Sequence, residues 1–411
     1  MGIAAEGIVV VGAGQGGFQL GASLREGGYH GPVTLIGDEP GLPYGRPPLS
    51  KAYLTGRTDA AGLLLRPPAY YAEHAITVRS GERVTAIDRA AQRVTLASGE
   101  ALPFAHLVLA TGTRNRPLPV PGADLPGVHQ LRSLAEADAL KAALDGVARV
   151  AVVGAGFIGL EFAAVCAGKG IAVTVIEGLD RALARALSAT MAGAMTEAQA
   201  AAGVRFLFGA QVEAIAGRER ATGVVVRGGE TVPADLVLVG IGVLPNQDLA
   251  EAAGLAVGNG IAADAMLATT DPAISAIGDC AAHPSPHADG ARVRIESVQN
   301  AVDGARCVAA RLTGRPAAYT AVPWFWSDQG SLKLQIAGLS TPADDAVTRG
   351  TPGSGFSVFR YRNGRLSAVE SLNRPADHMI ARRLLQAGLS PTPAEAADPG
   401  FDLKAFALSA A

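Results

Sequence analysis

The chain is poor in cysteine, in lysine, in charge and in long apolar runs, and each shortage excludes something. Its three cysteines, Cys166, Cys280 and Cys307, cannot build an even disulfide framework, and no two stand at Cys-x-x-Cys spacing. That usage predicts a reducing, cytoplasmic compartment. Charged residues make up 18%, and Lys+Arg 35 against Asp+Glu 37 leaves a net charge of −2. A sequence pI near 6.4 lacks the basicity of a dedicated nucleic-acid binder. Only five of the 35 basic residues are lysine, so any positive docking surface would be mainly arginine. No uninterrupted apolar stretch reaches about 18 residues, so no membrane span is expected. Met1 to Glu6 has no basic n-region, and Glu6 stands where a myristoylation signal requires Ser or Thr.

What is abundant is apolar residues, at 49%, and glycine, with 51 residues in 411. That length suggests two or three domains with sizeable cores, which excludes a disordered chain. The glycines do not recur every third residue, which excludes collagen. Aperiodic glycine marks places where backbone turns tightly or approaches something closely.

The glycines are organised by an internal repeat. Ile8 to Val11 reads as a strand, Gly12-Ala13-Gly14-Gln15-Gly16-Gly17 as a turn, Phe18 to Glu26 as a helix stopped by Gly27-Gly28, and Val33 to Ile36 as a strand ending at Asp38. The same order returns 142 residues later, counted from Gly12 to Gly154. Val150 to Val153 is a strand, Gly154-Ala155-Gly156-Phe157-Ile158-Gly159 a turn, Leu160 to Ala167 a helix, and Val173 to Ile176 a strand ending at Glu177. Each unit is strand, G-x-G-x-x-G, helix, strand, acid. The first glycine permits the turn, the second admits a pyrophosphate, and the third lets helix and strand pack closely. Amide groups at the helix start hold phosphate charge, and the acid accepts hydrogen bonds from a ribose diol. One copy is weak evidence, but two in correct context imply two dinucleotides. An acid at Glu177 would repel a 2′-phosphate and favours NADH, although Arg181 and Arg185 lie near enough to favour one.

Leu107 to Arg114 and Leu236 to Asn246 read as buried strands that close the two units, where the chain passes between domains. Thr270 to Asp279 reads as a short strand delivering an Asp after Gly278. A buried Asp there needs partners, and a polyol such as a ribityl chain would supply them. Both tryptophans, Trp324 and Trp326, share one face of a strand by alternation, a placement that suits packing as readily as redox chemistry. His283 and His287 are four apart, but Pro284 and Pro286 break the helix that would align them, so no metal site is expected.

These landmarks, with Arg46-Pro47-Pro48-Leu49-Ser50-Lys51, Gly154 to Glu161, Gly278-Asp279-Cys280, Arg294 to Ala301 and Pro323 to Gln329, resemble the NADH-dependent ferredoxin reductases of bacterial oxygenase systems. That family lies within the two-dinucleotide flavoprotein superfamily that includes glutathione reductase. The resemblance implies an α/β fold with two Rossmann-like dinucleotide-binding domains and a C-terminal α+β domain. Its expected boundaries are 1–112 and 246–320 for an FAD domain, 113–245 for an NADH domain and 321–411 for the last. It places FAD contacts at Gly12, Gly14, Gly16, Asp38, Arg46, Lys51, Val84, Arg132, Asp279 and Val298. It places NADH contacts at Gly154, Gly156, Ile158, Gly159, Glu161, Glu177, Arg185, Gly242 and Glu296, with Trp326 beside the flavin. Without that pattern, Lys51 reads equally well as a surface lysine and Arg132 as an ordinary ion-pair partner.

The implied activity is hydride transfer from NADH to FAD, followed by single-electron transfer to a separate 2Fe–2S ferredoxin, with Arg306 and Lys333 as docking candidates. Lys51, Glu161 and Trp326 are the implied catalytic residues, Lys51 pairing with Glu161 when the flavin is oxidised. A monomer or weak dimer is expected. A disulfide reductase would need a cysteine pair between Pro43 and Leu54, and a peroxide-reducing NADH oxidase a single cysteine there; that stretch holds none. A rubredoxin reductase and an apoptosis-inducing-factor-like NADH-binding flavoprotein remain as alternatives.

Overall fold

An apolar run with no polar member suits a strand covered on both faces, the condition of a parallel sheet in an α/β protein. The computed structural model describes residues 7–409; Met1 to Glu6, read above for a leader, lie outside them. The described chain divides into two units, one of residues 7–45, Ala61–Arg114 and Leu244–Pro323, the other of Arg46–Ala60, Asn115–Val243 and 324–409.

In the first unit Ile8–Val11 is buried at every position. It pairs in parallel with Val33–Gly37 and His106–Leu109, which in turn carry Ile76–Ser80 and Ile274–Ala276. Successive side chains alternate between faces. Val10, Leu35 and Val108 therefore join Phe18 and Leu24 of the Gln15–Glu26 helix and Val308 of the Val298–Leu312 helix. Val9, Val11, Leu107 and Leu109 face the other way, against Val94, Leu96 and Phe104. That second face is covered by an antiparallel sheet of Val84–Asp88, Arg93–Leu96 and Ala101–Pro103.

The second unit repeats the topology. Arg149–Val153 lies between Ala172–Ile176 and Leu236–Val239, which carry Val204–Leu207 and Val128–His129, all in parallel. Both parallel sheets thus run third strand, second, first and then a later one, His106–Leu109 or Leu236–Val239; the fifth strand is a later one in the first sheet, Ile274–Ala276, and an earlier one in the second, Val128–His129. The Phe157–Gly168 and Ala189–Ala201 helices belong to this unit. So does an antiparallel sheet in the order 324–329, 332–338, 365–372, 356–362, 345–350. One row of that sheet, Trp324, Ala337, Val369 and Phe359, lies on the side where Ala381 and Leu384 of the Pro375–Ala387 helix pack. The neighbouring row, Phe325, Ile336, Glu370 and Val358, faces the opposite side, where Phe325 meets Phe157 at 4.6 Å between ring centroids.

Both helices after the glycine turns begin three residues before the sequence suggests, at Gln15 and Phe157 instead of Phe18 and Leu160. The second half of each glycine turn is already the first helical turn.

Each unit buries a histidine in neutral form. His106 Nε2 lies 2.8 Å from Ser275 Oγ, and burial, with the nearby Arg311 charge, pushes its pKa down to about 3. His378 has both ring nitrogens buried without a hydrogen-bond partner, and burial, then Arg382, pushes it down to about 4. Unfolded histidine takes its proton near 6.5, so below that pH the unfolded chain binds more protons than the folded one. Stability is therefore full above pH 6.5 and falls as pH drops toward those lower values. The unfolding free energy measured with urea should decline from pH 7 to pH 5 by about 2 kcal/mol for each histidine, with the midpoint falling in step, and His378→Leu should remove its share. A midpoint independent of pH over that range would contradict this account.

Candidate functional site

The two glycine turns solve one steric problem in one way. Gly12 has φ +117°, and a Cβ there would lie 2.1 Å from Ala110 O; Gly154 has φ +101°, and a Cβ there would lie 2.5 Å from Gly240 O. No side chain fits either position. The third glycine of each motif faces the first: a Cβ at Gly17 would meet Gly12 O at 2.0 Å, and one at Gly159 would meet Gly154 O at 2.4 Å. Gly17 is therefore a required position that the candidate set omits, whereas a Cβ at Gly16 would make only ordinary contacts, the nearest 3.5 Å from Ile277.

The middle glycines are different. A Cβ at Gly14 would meet nothing within 4 Å, and one at Gly156 would meet only Gly240 O, at 3.8 Å. Both are helix N-caps without a side-chain cap. An open space above uncapped helix amides suits a phosphate, and a side chain at the middle glycine would occupy it. The residues present thus fit one dinucleotide in each unit.

The acids that end the second strands are held differently. Glu177 is half-buried and accepts hydrogen bonds from Ala155 N at 2.8 Å and Leu179 N at 2.9 Å. It is fixed against its own glycine turn, while Asp38 is exposed. Of the two arginines near Glu177, Arg181 turns its guanidinium to Leu187 O and Ala184 O; Arg185 is exposed. Ile158, at the start of its helix, is 42% exposed, and Gly242 sits at φ +110° with open space beside it.

In the first unit the strand ends at Ala276, and Asp279 lies beyond it in the short 3-10 turn Gly278–Cys280, half-buried instead of buried. Arg294 Nη1 donates to Asp279 O at 3.1 Å and pairs with Glu296 at 2.6 Å. Val298 opens a helix capped by Ser297, so Asp279, Glu296 and Val298 are brought to one neighbourhood. Val84 is buried in its strand. Cys280 is buried, with Sγ 3.3 Å from Ile277 O, and burial raises its thiol pKa.

In the second unit the structure assembles the arm 46–60, the Phe157–Gly168 helix and the Trp324–Gln329 strand around one carboxylate. Glu161 is only 2% exposed, in an otherwise apolar helix. Lys51 Nζ pairs with its Oε2 at 2.8 Å, and Ser50 Oγ donates to the same oxygen at 2.5 Å. Ser327 Oγ donates to Oε1 at 2.7 Å. Having given its one proton to Glu161, Ser327 accepts from Gln329 Nε2 at 3.2 Å. Gln199 Nε2 in turn donates to Gln329 Oε1 at 2.6 Å. Further along the arm, Tyr53 donates to Asp138 and Lys141 lies 4.9 Å from the Tyr53 ring centroid. Arg46 Nη1 donates to Arg132 O at 2.7 Å. Trp326, adjacent to Ser327, is half-buried and stands 5.6 Å from Trp324.

Ser50 and Ser327 are absent from the sequence-derived candidates. The available signal was Glu161 itself, since a carboxylate among apolar helix neighbours requires donors, and a serine flanks both Lys51 and Trp326.

Removing Lys51 alone should leave a buried charge with hydroxyl donors only. Lys51→Met is expected to cost about 3 kcal/mol in urea unfolding, and adding Glu161→Gln should recover most of it. Strictly additive effects of the two changes would show that the pair carries no coupling.

Comparison with known proteins places this geometry in a family. The pattern of the pyridine nucleotide-disulphide oxidoreductase family matches residues 6–305, and that of the reductase C-terminal family matches 324–407. Rhodocoxin reductase of Rhodococcus erythropolis is 53% identical over 399 residues, covering 97% of this chain and 93% of its own. The crystal structure of the ferredoxin reductase for the CYP199A2 system from Rhodopseudomonas palustris matches with a TM-score of 0.96 at 48% identity, over 98% of this chain and 100% of that one. Putidaredoxin reductase, in its covalent complex with putidaredoxin, matches with a TM-score of 0.95 at 38% identity, over 99% of each chain. The chain belongs to the pyridine nucleotide-disulphide oxidoreductase family, within the ferredoxin reductases that serve oxygenase systems.

Proposed function

We propose that the chain takes hydride from NADH and passes single electrons, by way of FAD, to a 2Fe–2S ferredoxin that serves a bacterial haem-thiolate monooxygenase or related oxygenase in the cytoplasm. The observation that carries this reading is the pair of like-built glycine turns in one chain, each with open space at its middle glycine. Gly12, Gly14, Gly16, Asp38, Val84, Asp279 and Val298 would hold FAD in segments 1–112 and 246–320, with Arg46, Lys51 and Arg132 contributing charge. Gly154, Gly156, Ile158, Gly159, Glu177, Arg185, Gly242 and Glu296 would hold NADH.

Bound FAD supplies the ability to accept two electrons and release them singly. Lys51 and Glu161 supply charge. The pair is nearly dry, with side chains 16% and 2% exposed, so the ammonium acts in a medium where it stabilises negative charge far more than in water. Ser50 and Ser327 give Glu161 two hydrogen bonds besides its ion pair with Lys51. Glu177, already oriented by two backbone amides, offers its remaining lone pairs to a ribose diol and opposes a 2′-phosphate. The absence of cysteine from Pro43 to Leu54 directs electrons away from a disulfide.

Arg306, 60% exposed beside Asp303, and the exposed Lys333 are candidates to meet an acidic ferredoxin. Rim charges of this kind act mainly on association rate. With NADH as donor under anaerobic conditions, a 2Fe–2S ferredoxin should be reduced at least about tenfold faster than rubredoxin or glutathione disulfide. Lys333→Glu should slow ferredoxin reduction at low salt, with the difference fading as salt rises. Faster reduction of rubredoxin would reassign the acceptor, fast disulfide reduction would contradict the function, and equal rates for Lys333→Glu would remove that residue from the interface.

A further inference from the structure

Residues 178–187 run from the Glu177 acid to the Ala189–Ala201 helix and contain Arg185. Within them Leu183 sits at φ +52°, a left-handed conformation that a leucine keeps only when its surroundings enforce it. Leu183 N donates to Ala155 O of the glycine turn at 3.1 Å. The other end of the segment is Ser188, the helix N-cap, whose Oγ accepts from Met191 N at 3.2 Å. Ser188 is held by Glu370: its N–H donates to Oε1 at 2.9 Å and its Oγ–H to Oε2 at 2.6 Å. Glu370, in the Arg365–Leu372 strand, is 0% exposed and pairs with Arg360 at 3.0 Å. Arg360 in turn donates to Thr341 O and Asp344 O, each at 2.9 Å.

A buried ion pair is seldom better for stability than apolar residues of equal volume. What a carboxylate does at this position, and an apolar side chain cannot, is accept both donors of the Ser188 cap while placing negative charge at a helix N-terminus. The result is a six-residue strap, 183–188, pinned to the glycine turn at one end and to the antiparallel sheet at the other. Arg185 lies in its middle.

We propose that Glu370 is a positioning residue for the pyridine nucleotide: by holding the Ser188 cap it fixes the 183–188 strap, and through the strap the placement of Arg185. The C-terminal segment thereby sets the affinity of the nucleotide site without touching the nucleotide. This rests on the reading of Arg185 as an NADH contact. A strap ordered in advance does not have to be ordered on binding, so loosening it weakens affinity.

The test is equilibrium binding of NAD+ to the FAD-loaded protein, with the KM for NADH alongside, in Ser188→Ala, Ser188→Thr, Glu370→Gln, Arg185→Ala and the double variants of Arg185→Ala with Ser188→Ala or Glu370→Gln. Ser188→Ala and Glu370→Gln should each raise Kd and KM about tenfold, with KM rising more than kcat falls, and neither should add to the loss in Arg185→Ala. Ser188→Thr, which keeps a hydroxyl, should restore affinity. Ser188→Ala leaves the Arg360–Glu370 pair intact and so keeps the test open if Glu370→Gln fails to fold. A Kd for Ser188→Ala within about twofold of the parent, or losses that add in full to that of Arg185→Ala, would overturn the proposal. An unchanged Kd in Arg185→Ala would instead overturn the reading of Arg185, and with it this route of action.

Discussion

A carboxylate buried at Glu161 cannot be left without donors, and much of the second unit is arranged to supply them. Its partners come from positions far apart in sequence, Ser50 and Lys51 in the arm and Ser327 in the strand that also carries both tryptophans. An unpaired buried charge costs several kcal/mol, so each partner is held where the carboxylate requires it. Residues 46–60, whose flanking segments belong to the first unit, join the second through Glu161 and also through Arg132 O, Asp138 and Lys141. The requirement for donors also explains a serine and a glutamine on the face of the strand opposite Trp324 and Trp326, where an ordinary sandwich core would place aliphatic residues.

The duplicated glycine turns show how little freedom close backbone approach leaves. Two segments with different neighbours reach the same solution, the first and third glycines excluded from bearing a side chain by carbonyl oxygens and the middle one by the space it leaves open. They diverge where the ligand, not the backbone, sets the requirement. Glu177 is locked onto its turn by two amides, whereas Asp38 stays exposed. On the proposed assignment of NADH to this turn, an acid oriented in advance leaves less to be ordered at each binding event.

Much of this was legible in the sequence because it is local. The strands at 8–11, 150–153 and 236–239 show as uninterrupted apolar runs, and the turns show as glycine spacing followed by an acid. The helix starts at Gln15 and Phe157 are not legible, since a glycine turn and a first helical turn share residues and composition does not separate them. Asp279 reads as buried in sequence because it follows an apolar strand, but the strand stops at Ala276 and Asp279 is the one half-buried residue in an otherwise buried stretch from Ile274 to His283. Gly16 and Gly17 are the same residue type side by side in sequence, and only the distance to Gly12 O distinguishes them. Ser50, Ser327 and Glu370 were illegible for a different reason. Each acquires its role from a partner more than a hundred residues away, and a lone serine or glutamate carries no spacing to announce it.

Glu161 anchors the 46–60 arm through its bonds to Ser50 and Lys51. Hydrogen exchange of the arm amides, among them Tyr53 N to Pro48 O and Arg57 N to Ala52 O, tests this directly in Glu161→Ala and Ser327→Ala. Exchange across 46–60 should accelerate about tenfold or more in Glu161→Ala and measurably in Ser327→Ala, with the Ile8–Val11 strand unchanged. Arm amides that exchange at the parent rate in both variants would show that the arm is held without the carboxylate.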